Sequence, residues 1–170
     1  LPYFAGERSP IFDPQARGVV AGLTLHHGPG ELYRAVLEAA GYAVRHILQT
    51  LDDEGVERRR YVAAGGGTRS RLWMQIISDI TGIEQEVPRE RAGASYGAAL
   101  LAGRGTGVVA PDAHWNRGAD VVRPQQRHRE RYEELYALYR RLDAATREIS
   151  HALGAATLTA LEPTSKDGKP

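Results

Sequence analysis

The sequence predicts an α/β domain built in layers, and three observations predict it. Apolar residues recur at intervals of three and four over Glu31–Glu54, Arg69–Thr81 and Gln126–His151, which is the period of an amphipathic helix. Two short runs, Tyr61–Ala64 and Ile83–Val87, have the length and pattern of strands and alternate with the helical segments. A chain of 170 residues with 42% hydrophobic residues is large and apolar enough to bury a core, and no internal repeat is visible.

Each element has its own signals. Leu32, Val36, Ala39, Ala40, Ala43, Val44, Ile47, Leu48 and Leu51 form the stripe of the first helix, with Pro29-Gly30 as a start and Gly55 as a stop. Gly41, among Ala39 to Ala43, allows another backbone to approach closely. The second helix carries Leu72, Ile76, Ile77 and Ile80 and ends at Gly82; the strand after it ends at Pro88. "AGASYGAALLAG" (Ala92–Gly103) predicts a helix packed tightly on a sheet, followed by a loop, "GRGTGVVAP". Tyr132, Leu135, Tyr136, Tyr139, Leu142 and Ala145 make the stripe of the last helix. These elements form one domain over residues 1–152, and the polar tail 153–170 is expected to be disordered. Near the amino terminus, Gly6–Gly18 has neither period and reads as an ordered loop with turns at Ser9-Pro10 and Asp13-Pro14.

Composition excludes several kinds of chemistry. Lys and Arg number 22 against 21 Asp and Glu, a formal charge of +1, so no broad field draws the molecule onto nucleic acid or a membrane, and neither is an expected partner. The absence of cysteine rules out disulfides, thiolate metal sites and a Cys nucleophile. No apolar run approaches the roughly 20 residues of a membrane-spanning helix, and the expected setting is cytoplasmic. The chain opens on Leu1 rather than Met and is expected to begin within a larger protein.

The strongest chemical signal is "YVAAGGGTRS" (Tyr61–Ser70), a short apolar run, three glycines and a helix start. Glycines let a ligand reach the main chain, and a helix start offers unpaired N–H groups with a partial positive charge. Gly65, Gly66, Gly67 and Thr68 therefore form a candidate nucleotide turn, with Ser70 able to cap the helix or reach a ligand oxygen. A tight turn with no ligand accounts for the glycines equally well. The spacing matches neither a Walker A loop nor the dinucleotide fingerprint. Trp73 reads as a core aromatic, His26-His27 lacks a third ligand, and Arg123, Arg127 and Arg131 are interleaved with Glu130, Glu133 and Glu134 as on a solvated helix face.

Five blocks in order, "LPYFAGERSPIFDPQARGVVAGL", "LYRAVLEAAGYAVRHIL", "AAGGGTRSRLWMQIISDITG", "ERAGASYGAALLAG" and "YEELYALYRRL", resemble the carboxy-terminal lobe of the FGGY family of sugar kinases. Within the family they look most like its xylulokinase branch. The resemblance implies a ribonuclease-H-like lobe of the actin-like ATPase type, a mixed sheet flanked by helices and truncated at its amino-terminal strands. It implies an enzyme that moves the γ-phosphoryl of ATP, with Mg2+, to a sugar or polyol hydroxyl, a pentulose such as xylulose first. Adenosine would lie beside Gly65, Gly66, Gly67, Thr68 and Ser70. The catalytic general-base aspartate and most of the sugar site belong to the family's amino-terminal lobe, so this chain is not expected to be active alone. Glu7, Arg8, Asp13 and Arg17 match the block "GER.P..DP.ARG" and are candidates for cleft or lobe contacts, or for charges that hold the loop's own turns. Uncovered sheet edges would favour self-association. The competing expectation is a non-catalytic, actin-like ligand-binding or interaction module.

Overall fold

A computed structural model describes residues 1–89, 93–113 and 118–161. The chain forms two compact units, one from Leu1–Thr50 with the chain from Glu134 onward, the other from Leu51–Glu133. The single domain expected over 1–152 is thus divided within helix α1 (Pro29–Asp53) and helix α4 (Arg129–Leu161).

In the first unit, α1 begins where its signals place it. Pro29 occupies the first turn, where its missing N–H costs nothing, and the Glu31 carboxylate accepts a hydrogen bond from the Gly28 N–H at 2.9 Å. At the other end Gly55 donates to Asp52 O and Val56 to Leu51 O, the paired bonds of a Schellman motif. Tyrosines dominate the core: Tyr3, Tyr42, Tyr136 and Tyr139 are buried with Leu37 and Ala16. Their rings meet edge-on or offset, with centroids 5.4–6.4 Å apart, the arrangements that the ring quadrupole favours. A phenol buried this way needs a partner, and the Tyr3 and Tyr139 hydroxyls supply one to each other at 2.5 Å.

The loop ahead of α1 is ordered by its own hydrogen bonds. Glu7 and Asp13 exchange backbone hydrogen bonds at 2.9 and 2.7 Å, closing the segment between them; a turn falls at Ser9-Pro10 as expected, and the second falls at Pro14-Gln15, one residue after the expected Asp13-Pro14. Helix α4 runs past its expected end at His151 to Leu161, so residues 153–161 do not belong to an irregular tail; "ALGAATLTAL" is rich in Ala and Leu, the best helix formers. Residues 162–170, the remainder of the expected tail, lie outside the described residues.

The second unit contains a 3-10 turn (Gly66–Arg69), α2 (Arg71–Thr81), β1 (Gln85–Pro88), α3 (Gly93–Gly105) and β2 (Ala119–Val122). β1 and β2 pair antiparallel, Gln85 opposite Val122 and Pro88 opposite Ala119. On its other edge β1 meets the chain at Val62 in parallel: the Glu86 N–H donates to Tyr61 O and the Ala63 N–H to Glu86 O, both at 2.9 Å. The pairing on β1 is therefore mixed. The strand expected over Tyr61–Ala64 is reduced to this one bridge, because Gly65 leaves extended geometry immediately after it, at φ 94°. β2, "ADVV", has no clear strand pattern in the sequence and forms by pairing with β1.

Helix α2 lies on this sheet through Met74, Ile76 and Ile80, and ends at Gly82 in the left-handed region, φ 72°. Buried polar groups pin it there. The Gln85 side chain donates to Met74 O at 2.7 Å and to Ser78 Oγ at 3.0 Å, and Ser78 Oγ donates to Val122 O at 3.2 Å. The Asp79 carboxylate accepts from the Gln125 N–H and from the Gln75 amide, both at 2.8 Å. Satisfied networks of this kind fix one register where apolar contacts alone would tolerate several. Helix α3 departs from expectation: none of its residues is buried, and Leu101 is 68% exposed. Two four-residue strands, the described sheet, are too small a face to cover a helix of 13 residues. Ala92, where the sequence starts this helix, lies outside the described residues.

Candidate functional site

The three glycines differ in what holds them. Gly65 adopts φ 94°, ψ −176°, a conformation that a side chain makes costly, and its carbonyl accepts both the N–H of Thr68 at 3.2 Å and the Thr68 hydroxyl at 2.8 Å. Thr68 is buried, so this double contact locks the turn from inside. At Gly67 a Cβ atom would sit 2.7 Å from Cζ3 of Trp73 and 3.0 Å from Cε3; the bare main chain there is what lets the indole ring approach. Gly66 has neither constraint. Its φ is not in the left-handed region, and a Cβ on it would meet no atom within 4 Å among the described residues.

Ser70 closes the turn and opens α2. Its N–H donates to Gly67 O at 3.1 Å, its Oγ accepts the N–H of Trp73 at 3.2 Å, and its carbonyl accepts the N–H of Met74 at 3.1 Å to begin the helix. The cap expected from the sequence is therefore formed. Gly65, Gly66, Gly67, Thr68 and Ser70 are brought together in one turn with Gly66 exposed on it. Arg71 and the residues after it present the N-terminal N–H groups of α2, which carry the positive end of the helix dipole.

The second set, Glu7, Arg8, Asp13 and Arg17, lies in the first unit. Three of its members hold the loop's own fold. Glu7 Oε1 accepts the N–H of Ser9 at 3.1 Å, and Asp13 Oδ1 accepts the N–H of Gln15 at 3.0 Å. The Arg17 guanidinium donates to the carbonyls of Pro14 and Ala16, and the Arg17 N–H donates to Ser150 Oγ at 2.9 Å. Arg8 is exposed and makes no side-chain hydrogen bond or ion pair among the described residues.

Sequence reasoning missed the partners of this loop on α4. Asp13 Oδ2 lies 2.7 Å from His151 Nε2, and Gly154 leaves room for the Arg17 guanidinium, which a Cβ there would approach to 2.9 Å. Burial raises the affinity of the Asp13 carboxyl for its proton, but the hydrogen bonds from His151, Gln15 and Ala16 and the attraction of His151 outweigh it, so the carboxyl sits below its ordinary range. No sequence signal marks His151, whose partner is 138 residues away. Among the described residues no group of three or more His, Asp or Glu side chains is placed to hold a metal ion, and no helix is long and apolar enough to cross a membrane.

Comparison with known proteins gives the chain its class. The FGGY family of carbohydrate kinases, C-terminal domain, matches residues 1–106, and the chain belongs to that family. The xylulose kinase of Escherichia coli (strain K12) is 44% identical over 104 residues, covering 61% of this chain and 21% of that protein. The crystal structure of xylulose kinase from Rhodospirillum rubrum superposes with a TM-score of 0.72 at 36% identity, over 89% of this chain and 30% of that one. A crystal structure of Plasmodium falciparum glycerol kinase with ADP superposes with a TM-score of 0.61 at 26% identity, over 78% and 28% of the two chains. The chain thus spans between about a fifth and a third of the length of these relatives.

Proposed function

We propose that this chain is the nucleotide-binding part of an ATP-dependent carbohydrate kinase, and that the turn Gly65–Ser70 is the floor on which adenosine rests. The observation that carries this reading is Gly66. Its two neighbours are glycines for reasons internal to the fold, the φ of Gly65 and the Trp73 ring against Gly67, whereas Gly66 is bare backbone facing open space, with no such reason among the described residues. A flat ligand lying against the main chain at this point is a reason, and family membership names its class.

In this reading Gly65, Gly66 and Gly67 admit the ligand to van der Waals distance of the backbone, while Thr68 and Ser70 keep the turn rigid so that little ordering is left to occur on binding. The start of α2 adds a favourable field for a negatively charged ligand. ATP supplies the transferable phosphoryl group, and Mg2+ arrives with its phosphates. Phosphoryl transfer depends on positioning and charge stabilisation from both sides of the reacting group. The proton of the attacking hydroxyl and most of the sugar contacts are therefore assigned to the other lobe of an intact two-lobed kinase. A pentulose such as xylulose is the acceptor this reading favours, on the likeness to xylulose kinases.

The experiment is an ADP-release assay of the intact kinase against xylulose, ribulose, gluconate and glycerol. Turnover with xylulose above the others is the expected result. No ADP release with any of the four overturns the reading.

A further inference from the structure

We infer that Trp73 is the positioning residue of the glycine turn: its ring, set against Gly67, fixes the main chain of Gly65–Gly67 in the shape that receives the nucleotide. The inference rests on the reading of the turn given above and adds a residue to it, one that acts through Gly67.

Three features of the geometry carry it. The contact is close, since even one added carbon on Gly67 would fall 2.7 Å from the ring. It is also part of a closed loop of interactions. Trp73 is held to Ser70 by the cap bond at 3.2 Å, Ser70 is held to Gly67 by its own N–H at 3.1 Å, and the ring returns from α2 to Gly67. Displacing any one member shifts the others. Finally, the indole N–H is buried and has no hydrogen-bond acceptor among the described residues. What Trp73 gives the turn is therefore the shape of a flat ring and not a polar contact. Gly66 lies between Gly65, held through Thr68, and Gly67, held against the Trp73 ring, and a Cβ on it would meet no atom within 4 Å among the described residues.

The test is made in the intact kinase with Trp73→Ala, Trp73→Phe, Gly67→Ala and Gly66→Val, reading the KM for ATP, the KM for sugar and the thermal midpoint. Trp73→Ala should raise the KM for ATP about tenfold and leave the KM for sugar within about twofold, and Trp73→Phe, which restores a flat ring, should recover most of the loss. An equal rise in both KM values, or no recovery with Phe, assigns Trp73 a general structural role and overturns the inference. So does a folded Trp73→Ala enzyme whose KM for ATP is unchanged. If Trp73→Ala does not fold, Gly67→Ala decides from the other side of the contact: a raised KM for ATP supports the inference and an unchanged one overturns it. Gly66→Val separates the two levels. A raised KM there with silent Trp73 and Gly67 variants removes Trp73 alone, whereas silence in all of them removes the nucleotide reading of the turn.

Discussion

Asp13 and His151 meet at 2.7 Å across 138 residues of sequence, and through this contact the loop ahead of α1 is tied to the last turns of α4. The contact also makes the first unit sensitive to acid. The Asp13 carboxyl titrates below its ordinary value of 3.8, so the unfolded chain takes up a proton before the folded one does as pH falls. Its contribution is complete above that value and is lost on further acidification. His46 works in the same direction at higher pH. Burial first, and then Arg140, lower its pKa from 6.5 against the opposing pull of Asp143 and Glu7, so the folded state keeps it neutral while the unfolded state charges below 6.5. Denaturation midpoints at stepped pH should therefore fall below pH 6.5 and fall again below 3.8. Asp13→Asn should make the second fall smaller, Glu31 and Glu86 still contributing to it through their own hydrogen bonds, and leave the first unchanged.

Tyr3 and Tyr139 test the aromatic core. Tyr139→Phe strands the buried Tyr3 hydroxyl and should cost about 1–3 kcal/mol, while the double variant with Tyr3→Phe should cost less than the sum of the two, since it leaves no orphaned group. Chemical denaturation of the four proteins gives the coupling directly. Burial raises the pKa of both phenols, so neither should ionise near pH 10 in the folded chain, and the part of the tyrosine absorbance change that is lost in the Tyr3→Phe, Tyr139→Phe double variant should coincide with unfolding.

Ser70→Ala removes the cap of α2. The expected loss is about 1 kcal/mol, read as a lowered denaturation midpoint. Because Ser70 also holds Gly67 through its backbone N–H, which survives the substitution, nucleotide binding should weaken less than it does in a variant that crowds the turn.

Much of this was legible in the sequence because the signals were local. Pro29, Gly55 and Gly82 mark helix ends through their own backbone chemistry, and each occupies the position it predicts. The glycine turn and its Ser70 cap lie within six residues, Gly65–Ser70, and could be read as a unit. What escaped was non-local. β2 exists because β1 pairs with it, and His151 matters because Asp13 lies beside it; neither has a pattern of its own. The charged loop candidates show a related limit. Glu7, Asp13 and Arg17 were recognisable as a block, yet only the hydrogen bonds reveal that their side chains serve the loop itself. The same holds for α3, whose Ala-rich sequence suits close packing but whose described neighbours do not bury it.

The exposure of α3 bears on the isolated chain. A helix rich in Ala and Leu with no buried residue, and with Leu101 68% exposed, leaves neighbouring chains apolar surface through which to associate. Sedimentation at tens of micromolar should show species larger than the 18.6 kDa monomer. A single monomeric boundary contradicts this expectation.

The nucleotide turn is tested most directly by the ATP affinity of the intact kinase carrying Gly66→Val. A Cβ at this position meets no atom within 4 Å among the described residues, so the fold and the thermal midpoint should be kept. The branched side chain would occupy the space assigned to adenosine, and ATP affinity should fall about tenfold or more. A variant that folds as the parent does and binds ATP with unchanged affinity would contradict the account.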